Sequence, residues 1–336
     1  MSKKTKKKNN LQKTKQKSGE NLSQEKNKTP EKEKPRWPIR IVYSLEEQIT
    51  SFAKDAASKI ISAAPNGIEW QVPEVAIVCG TGMQEVLGNN LDLEVLYNVS
   101  FEAFMPFPIS PPFQFGHRRE LVVMRHKPSG KIIIVSYGRI HYYETQDQHS
   151  ATFLMRIFHS LGCKQVVLLS AVGGIRRWYH TGDLVLVAYG HLNTMPDPRI
   201  GLHPVSFLDP VPAYSDDLRL LMEKAARAQD LRYYVGILAD VTGYGYEDWP
   251  QRALLAMIGA DIASMSNFNE AIVAFCLGIK TVGIGVVTDL IWRPEPVDPA
   301  VIGEEMQKAK GKLDVLLVAY LRDVLGGPEL LPQVTD

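Results

Sequence analysis

Six short runs rich in β-branched residues recur along the chain and constrain its fold more than any other feature. They are Val75–Cys79 (VAIVC), Lys131–Ser136 (KIIIVS), Gln165–Leu169 (QVVLL), Asp183–Ala188 (DLVLVA), Val235–Ala239 (VGILA) and Thr281–Val287 (TVGIGVV). Several are apolar at consecutive positions, so both faces of the strand need covering. Helical spacing of apolar residues fills the intervals. It predicts helices over Leu45–Ala64, Ala151–Leu161 behind a Ser150 cap, Ser215–Gln229 capped by Ser215, Asn269–Cys276 and Val301–Leu325. This alternation predicts an α/β fold, a single domain over residues 36–330 with a central mixed β-sheet flanked by helices.

Composition separates a tail from that body. Residues 1–35 hold twelve lysines and four glutamates, a charge of +8, which leaves −7 on the rest of a chain whose total is +1. The tail's only large apolar side chains are Met1, Leu11 and Leu22. Ordering its backbone costs roughly 1–2 kcal/mol per residue with little burial to offset it, so a disordered Lys-rich tail is expected. It lacks the apolar core of a secretory signal, and no ~18-residue apolar run predicts a membrane-spanning helix. The run Lys3–Lys8 suits nucleic acid or an import receptor, or serves only solubility. Cys79, Cys163 and Cys276 lie in apolar stretches and read as buried free thiols of a reducing, cytoplasmic setting, with nuclear entry open through the tail. No Cys/His pair has zinc-ligand spacing, so no metal is expected.

Six segments at or just past the ends of these strands carry candidate chemistry. Cys79-Gly80-Thr81-Gly82-Met83 offers backbone N–H groups and a hydroxyl to an anion, or is a plain strand-to-helix turn. Gly138-Arg139-Ile140-His141-Tyr142-Tyr143-Glu144 places Arg139 and His141 on one side of extended chain. The planar donor fork of Arg139 suits phosphate oxygens; the alternative is a structural salt bridge to Glu144 or another carboxylate. Ser170-Ala171-Val172-Gly173-Gly174 reads as backbone near a ligand or as a tight turn. The others are Gly243-Tyr244-Gly245-Tyr246-Glu247-Asp248, Met265-Ser266-Asn267 with Asn269-Glu270 opening a helix, and Thr288-Asp289. Ligands of open α/β sheets bind beyond the carboxyl ends of strands, where all six converge. Two long connections, Ser100–His117 and Gly190–Tyr214, are rich in Pro, Phe and His; loops of that length are usually functional.

In order and spacing, these segments resemble the trimeric purine nucleoside phosphorylases and the related methylthioadenosine phosphorylases. The likeness covers roughly residues 70–325 and adds Phe-Pro-Ile-Ser at 107–110, Gly-His at 116–117, Thr-Gly-Asp-Leu-Val at 181–185, Pro-Ala-Tyr-Ser-Asp at 212–216 and Gly-Ala-Asp at 259–261. It implies a phosphate site of Thr81, Arg139, His141, Ser266 and the Ala171 backbone, with His117 on a mobile loop beside it. It implies ribose contacts at Tyr143 and Met265 and a base site at Tyr246, Glu247 and Asp289. Phe207 resembles an aromatic that completes a neighbouring subunit's site, implying a homotrimer. The implied reaction is phosphorolysis of a purine nucleoside, inosine/guanosine type first, with His117, Glu247 and Asp289 as catalytic groups. Inorganic phosphate is then co-substrate and no cofactor is needed. Positioning and stabilisation of charge on the leaving purine supply the catalysis.

The chain departs from the family pattern where specificity is set. Gly-Pro-x-x-Glu becomes Gly243-Tyr244-Gly245-Tyr246-Glu247, and Asn-Ala-Ala-Gly-Gly becomes Ser170-Ala171-Val172-Gly173-Gly174. Asp289 stands where the 6-oxopurine enzymes have Asn. An ionised Asp only accepts hydrogen bonds, which suits a 6-amino group, whereas a protonated one serves a 6-oxopurine. Methylthioadenosine phosphorylases share this Asp but have a second Asp where Ile291 stands and lack the Glu kept at 247. No His follows Asp289 to meet a 5′-hydroxyl. Adenosine and methylthioadenosine phosphorylase are therefore the alternatives, with a non-catalytic, ligand- or partner-binding paralogue as one of another class.

Overall fold

A computed structural model describes residues 40–326 except 89, 91, 110–117, 203–206 and 294. The tail 1–35 and His117 lie outside the described residues. In chain order the elements are α1 (Arg40–Ser62), β1 (Val75–Cys79), β2 (Leu93–Ser100), α2 (Phe101–Phe104), β3 (Glu120–His126), β4 (Ile132–Tyr137), α3 (Tyr142–Thr145), α4 (Gln148–Ala151) and α5 (Phe153–Ser160). They continue with β5 (Gln165–Gly174), β6 (Leu184–Leu192), a 3₁₀ turn (Val211–Ala213), α6 (Asp216–Ala228), β7 (Tyr233–Asp240), α7 (Trp249–Met257), β8 (Ile262–Ser264), α8 (Phe268–Cys276), β9 (Lys280–Leu290) and α9 (Pro299–Leu325).

One mixed sheet runs β2-β3-β4-β1-β5-β8-β7-β6-β9, and β9 also pairs with β5. Strands β5, β8, β7, β6 and β9 thereby close into a ring, with β2, β3, β4 and β1 extending from β5. The β-branched runs of β1, β4, β5 and β9 are buried on both faces, as their composition requires, whereas Val235 on β7 is exposed. Ala76, Val78, Ile132, Ile134, Val166 and Leu168 pack on one side with Ile49, Ala53, Ala56 and Ile60 of α1. Their alternates Val75, Ile77, Ile133, Val135, Val167 and Leu169 pack on the other with Met306, Leu313, Leu317 and Tyr320 of α9. Period two in the strands meets period 3.6 in the helices, giving helix layers on both sides of the sheet.

The structure corrects several sequence-based expectations. Strands β5 and β9 run past their apolar cores, so Ser170–Gly174 is strand and not a tight turn, and Thr288-Asp289 lies within β9. The two pair in parallel through Gly173 opposite Asp289 to Gly174 opposite Leu290, across a bulge after Val172. The expected helix Ala151–Leu161 is two helices meeting at Thr152. Its cap is Asp147, whose carboxylate accepts from the His149 and Ser150 N–H groups, so Ser150 lies inside α4. Ser215 occupies the N-cap of α6 without a side-chain hydrogen bond. Cys79 and Cys163 are buried, but Cys276, at the last position of α8, is exposed. The first long connection begins with the short helix α2, and the second begins with the end of β6. No helix among the described residues is long and apolar enough to cross a membrane.

Candidate functional site

The six segments do converge. A cavity of about 290 Å³ is lined by Thr81, Arg139, His141, Tyr143, Ala171, Tyr246, Glu247, Met265, Ser266 and Asp289, ten of the twelve residues singled out from the sequence. The eleventh, Phe207, is not in its wall; the side chain is 96% exposed. The twelfth is His117, outside the described residues.

One half of the cavity is cationic and rigidly built. Arg139 follows β4 and is 1% exposed. Its Nη1 donates to Ser170 Oγ at 3.0 Å and to Ser266 Oγ at 2.8 Å, and its Nη2 lies 3.4 Å from Glu270 Oε2. The carboxyl nearest Arg139 is that of Glu270 rather than Glu144. A deeper layer orients this group. Asn267 Nδ2 donates to Ser170 Oγ at 2.9 Å, and Tyr214 Oη donates to Asn267 Oδ1 at 2.9 Å. Buried Asp240 at the end of β7 accepts from the N–H groups of Asn267, Phe268 and Asn269 and so fixes the start of α8. That start carries Ser266 before it and Glu270 within it. Burial pushes the Glu270 carboxyl up to about 8 against the pull of Arg139. At neutral pH Glu270 is therefore protonated, and the charge on Arg139 is left for an anion in the cavity.

His141 faces the same space, while Ile140 between them points into the core. Glu144 Oε1 accepts from the His141 backbone N–H at 2.9 Å and meets its Nδ1 at 3.1 Å. The other Glu144 oxygen pairs with Arg119. Burial lowers the His141 pKa, outweighing Glu144, so the ring is neutral near pH 7. Burial pushes Glu144 up, but its bonds from His141 and the charge of Arg119 bring it below the usual range.

Tyr143 stacks on the His141 ring at 4.8 Å and meets Tyr244 edge-on at 5.9 Å. Gly243 explains why this loop can close on them. Its φ is +67°, and a Cβ there would lie 2.7 Å from Met265 Sδ and 2.8 Å from Tyr143 Cδ1.

The opposite half holds two carboxyls, Glu247 and Asp289. Burial, then the nearby Glu247, pushes Asp289 up to about 6. Burial also raises Glu247. Tyr246, pushed up to about 12 by burial and these two acids, remains a phenol able to donate. Gly173 lets β5 approach Asp289: a Cβ there would sit 2.6 Å from Ile291 Cγ2 and 3.2 Å from Asp289 Oδ2. Arg252 of α7 ties the halves of this end together, donating to Glu247 O at 2.7 Å and to Ile291 O at 3.0 Å.

Sequence reasoning missed Arg119, just before β3, and Ile302 of α9 in the cavity wall, and Arg252 of α7 behind it. Only Arg119, directly before an apolar strand and close to Gly-His, left a local signal. Among the described residues no cluster of three or more His, Cys, Asp or Glu side chains could hold a metal.

Fold and cavity together define an α/β protein whose cavity, beyond the carboxyl ends of its strands, is cationic at the Arg139 end and lined by the carboxyls of Glu247 and Asp289 at the other. The chain belongs to the phosphorylase superfamily, whose profile matches residues 74–322. It is similar to purine nucleoside phosphorylase of Mycobacterium tuberculosis, 33% identical over 220 residues, covering 65% of this chain and 76% of that protein. It is also similar to purine nucleoside phosphorylase 1 of Geobacillus stearothermophilus, 30% identical over 223 residues, covering 65% of this chain and 78% of that protein. A crystal structure of a schistosoma purine nucleoside phosphorylase in complex with hypoxanthine shares the fold, with a TM-score of 0.68 at 21% identity. That alignment covers 83% of this chain and 98% of that one.

Proposed function

We propose that the protein is a purine-nucleoside phosphorylase acting in purine salvage. Phosphate oxygen forms a bond to C1′ as the C1′–N9 bond breaks. The bonding electrons leave with N9 as a purine anion, which takes up a proton to give the free base, and the sugar leaves as ribose 1-phosphate. One observation carries the reading: residues from six strand ends meet in a single cavity whose ends have opposite character. The Arg139 end suits phosphate, which meets the oxocarbenium-like ribose as positive charge develops at C1′. The Glu247 and Asp289 end suits the purine, whose developing negative charge needs a hydrogen-bond donor. A protonated Asp289 supplies one, and burial, which pushes its carboxyl up to about 6, makes that form dominant only below that pH. The protonated form suits inosine and guanosine and the ionised form adenosine and methylthioadenosine; inosine and guanosine are placed first on the overall family pattern.

Purine release from inosine, adenosine and methylthioadenosine, measured with and without phosphate, tests the proposal. Phosphate-dependent release from inosine is expected. Release without phosphate would identify a hydrolase, and no release from any of the three would identify a binding protein. Nucleoside and phosphate are the ligands; we read the assembly as a homotrimer in which Phe207 reaches a neighbouring subunit's cavity. The compartment inferred is the cytoplasm, with the Lys-rich tail able to engage nucleic acid or an import receptor.

A further inference from the structure

Arg119 precedes β3 with φ of +49°, the left-handed region that disfavours a long side chain. Its backbone is pinned there: its N–H donates to Tyr137 O at 2.8 Å, and its carbonyl accepts from Phe101 N–H at 2.9 Å. An arginine only 7% exposed, on a backbone suited to glycine, carries two costs at once. What it gains is a place in the cavity wall with Thr81, Arg139 and His141, and an ion pair with Glu144, whose side chain is 1% exposed.

The pair continues to His141. A carboxylate can only accept hydrogen bonds, so with Glu144 ionised the contact at Nδ1 requires the proton on Nδ1. In a neutral ring Nε2 is then an acceptor. We propose that Arg119 is a positioning residue for the co-substrate: it holds Glu144 as the anion that keeps His141 in its Nδ1–H tautomer. Nε2 is thereby presented to the P–OH hydrogen of the hydrogen phosphate dianion, whose remaining oxygens face Arg139. No proton is transferred in this contact; the tautomer fixes Nε2 as the acceptor that orients phosphate through its P–OH. The charged and titratable groups around Glu144 are His141, Tyr143, Arg119 and Arg139. Without Arg119, Glu144 loses its cation and takes up a proton at higher pH. It can then donate, and the preference for Nδ1–H is lost.

The inference rests on the phosphorolytic reading, so the wild-type chain is assayed beside the variants. Arg119→Gly removes the side chain and suits the positive φ, so the fold is retained, as a thermal melt checks. The KM for phosphate should rise about tenfold to a hundredfold, the worth of a hydrogen bond to a charged group, with nucleoside KM little changed. The acidic limb of the pH profile of kcat/KM for phosphate should move upward by about a unit. Arg119→Lys, which keeps the charge, should restore that limb. Titration calorimetry with inorganic phosphate should show the same weakening without turnover. An unchanged phosphate KM overturns the proposal. A raised KM with an unmoved acidic limb also overturns it, because Arg119 would then act other than through Glu144. Phosphate-independent release by the wild type would instead sink the underlying reading.

Discussion

At the scale of single residues, burial gives the two ends of the cavity their chemistry. Glu270 is protonated until about pH 8 because the cost of burying its charge exceeds the attraction of Arg139. Above that pH the carboxylate competes with phosphate for the guanidinium. The phosphate KM should therefore be flat near neutrality and climb several-fold through about pH 8 to 9, and Glu270→Gln should abolish the climb in steady-state assays. The same shift bears on stability. The unfolded chain releases this proton near 4.5, the folded chain near 8, so the carboxyl lowers stability as pH rises between them. Glu270→Gln should accordingly raise the Tm at pH 8. Asp289, pushed up to about 6, gives a second pH effect. The ratio of inosine to adenosine kcat/KM should rise as pH falls through about 6. In Asp289→Asn the ratio should favour inosine and lose its pH dependence; an unchanged preference would refute this role for the residue. The pattern of residue types was enough to locate Asp289 and Arg139, but the protonation states depend on desolvation, which the whole fold imposes.

At the scale of elements, α9 serves the core and the site together. Met306, Ala309, Leu313, Leu316, Leu317 and Tyr320 follow helical spacing and are wholly buried against the sheet. Leu313→Ala should cost about 2–5 kcal/mol in denaturant unfolding, in proportion to the cavity left behind. The first turn of the same helix sets Ile302 in the cavity wall. An apolar side chain there and no His on this helix leave α9 without a partner for a 5′-hydroxyl. Turnover of 5′-deoxyinosine within about tenfold of inosine is expected; a loss of ~10⁴ would reveal a hydrogen-bonding 5′ partner. Core strands and long helices were legible as elements because each repeats one period over many residues. The half-exposed β2, the three-residue β8, the buried β3 between charged residues and the nine-residue helix α7 were not, since what holds each in place comes from neighbours distant in sequence.

At the scale of the whole molecule, a side chain as apolar as Phe207 and 96% exposed fits a contact that one chain cannot make alone. Sedimentation should give a mass three times 37.6 kDa. Phe207→Ala should raise the nucleoside KM while sparing that of phosphate. Deleting residues 1–35 should leave both constants unchanged, since the matched family region begins at residue 74. The −7 charge on the rest of the chain and the +8 on the tail separate their roles by composition alone.

The sequence by itself determined the α/β alternation and the double-sided burial of the central strands, which follow from local periodicity, and, through the family resemblance of the strand-end segments, the identity of ten cavity residues. Tertiary structure alone decided that β9 returns to β5 and closes a ring. Only there do Gly173 and Asp289 meet. It also decided that Arg139 pairs with Glu270 and that Arg119 reaches Glu144. Such partners are joined by folding across 131 and 25 residues of chain, and the free energy of a buried charge depends on everything packed around it.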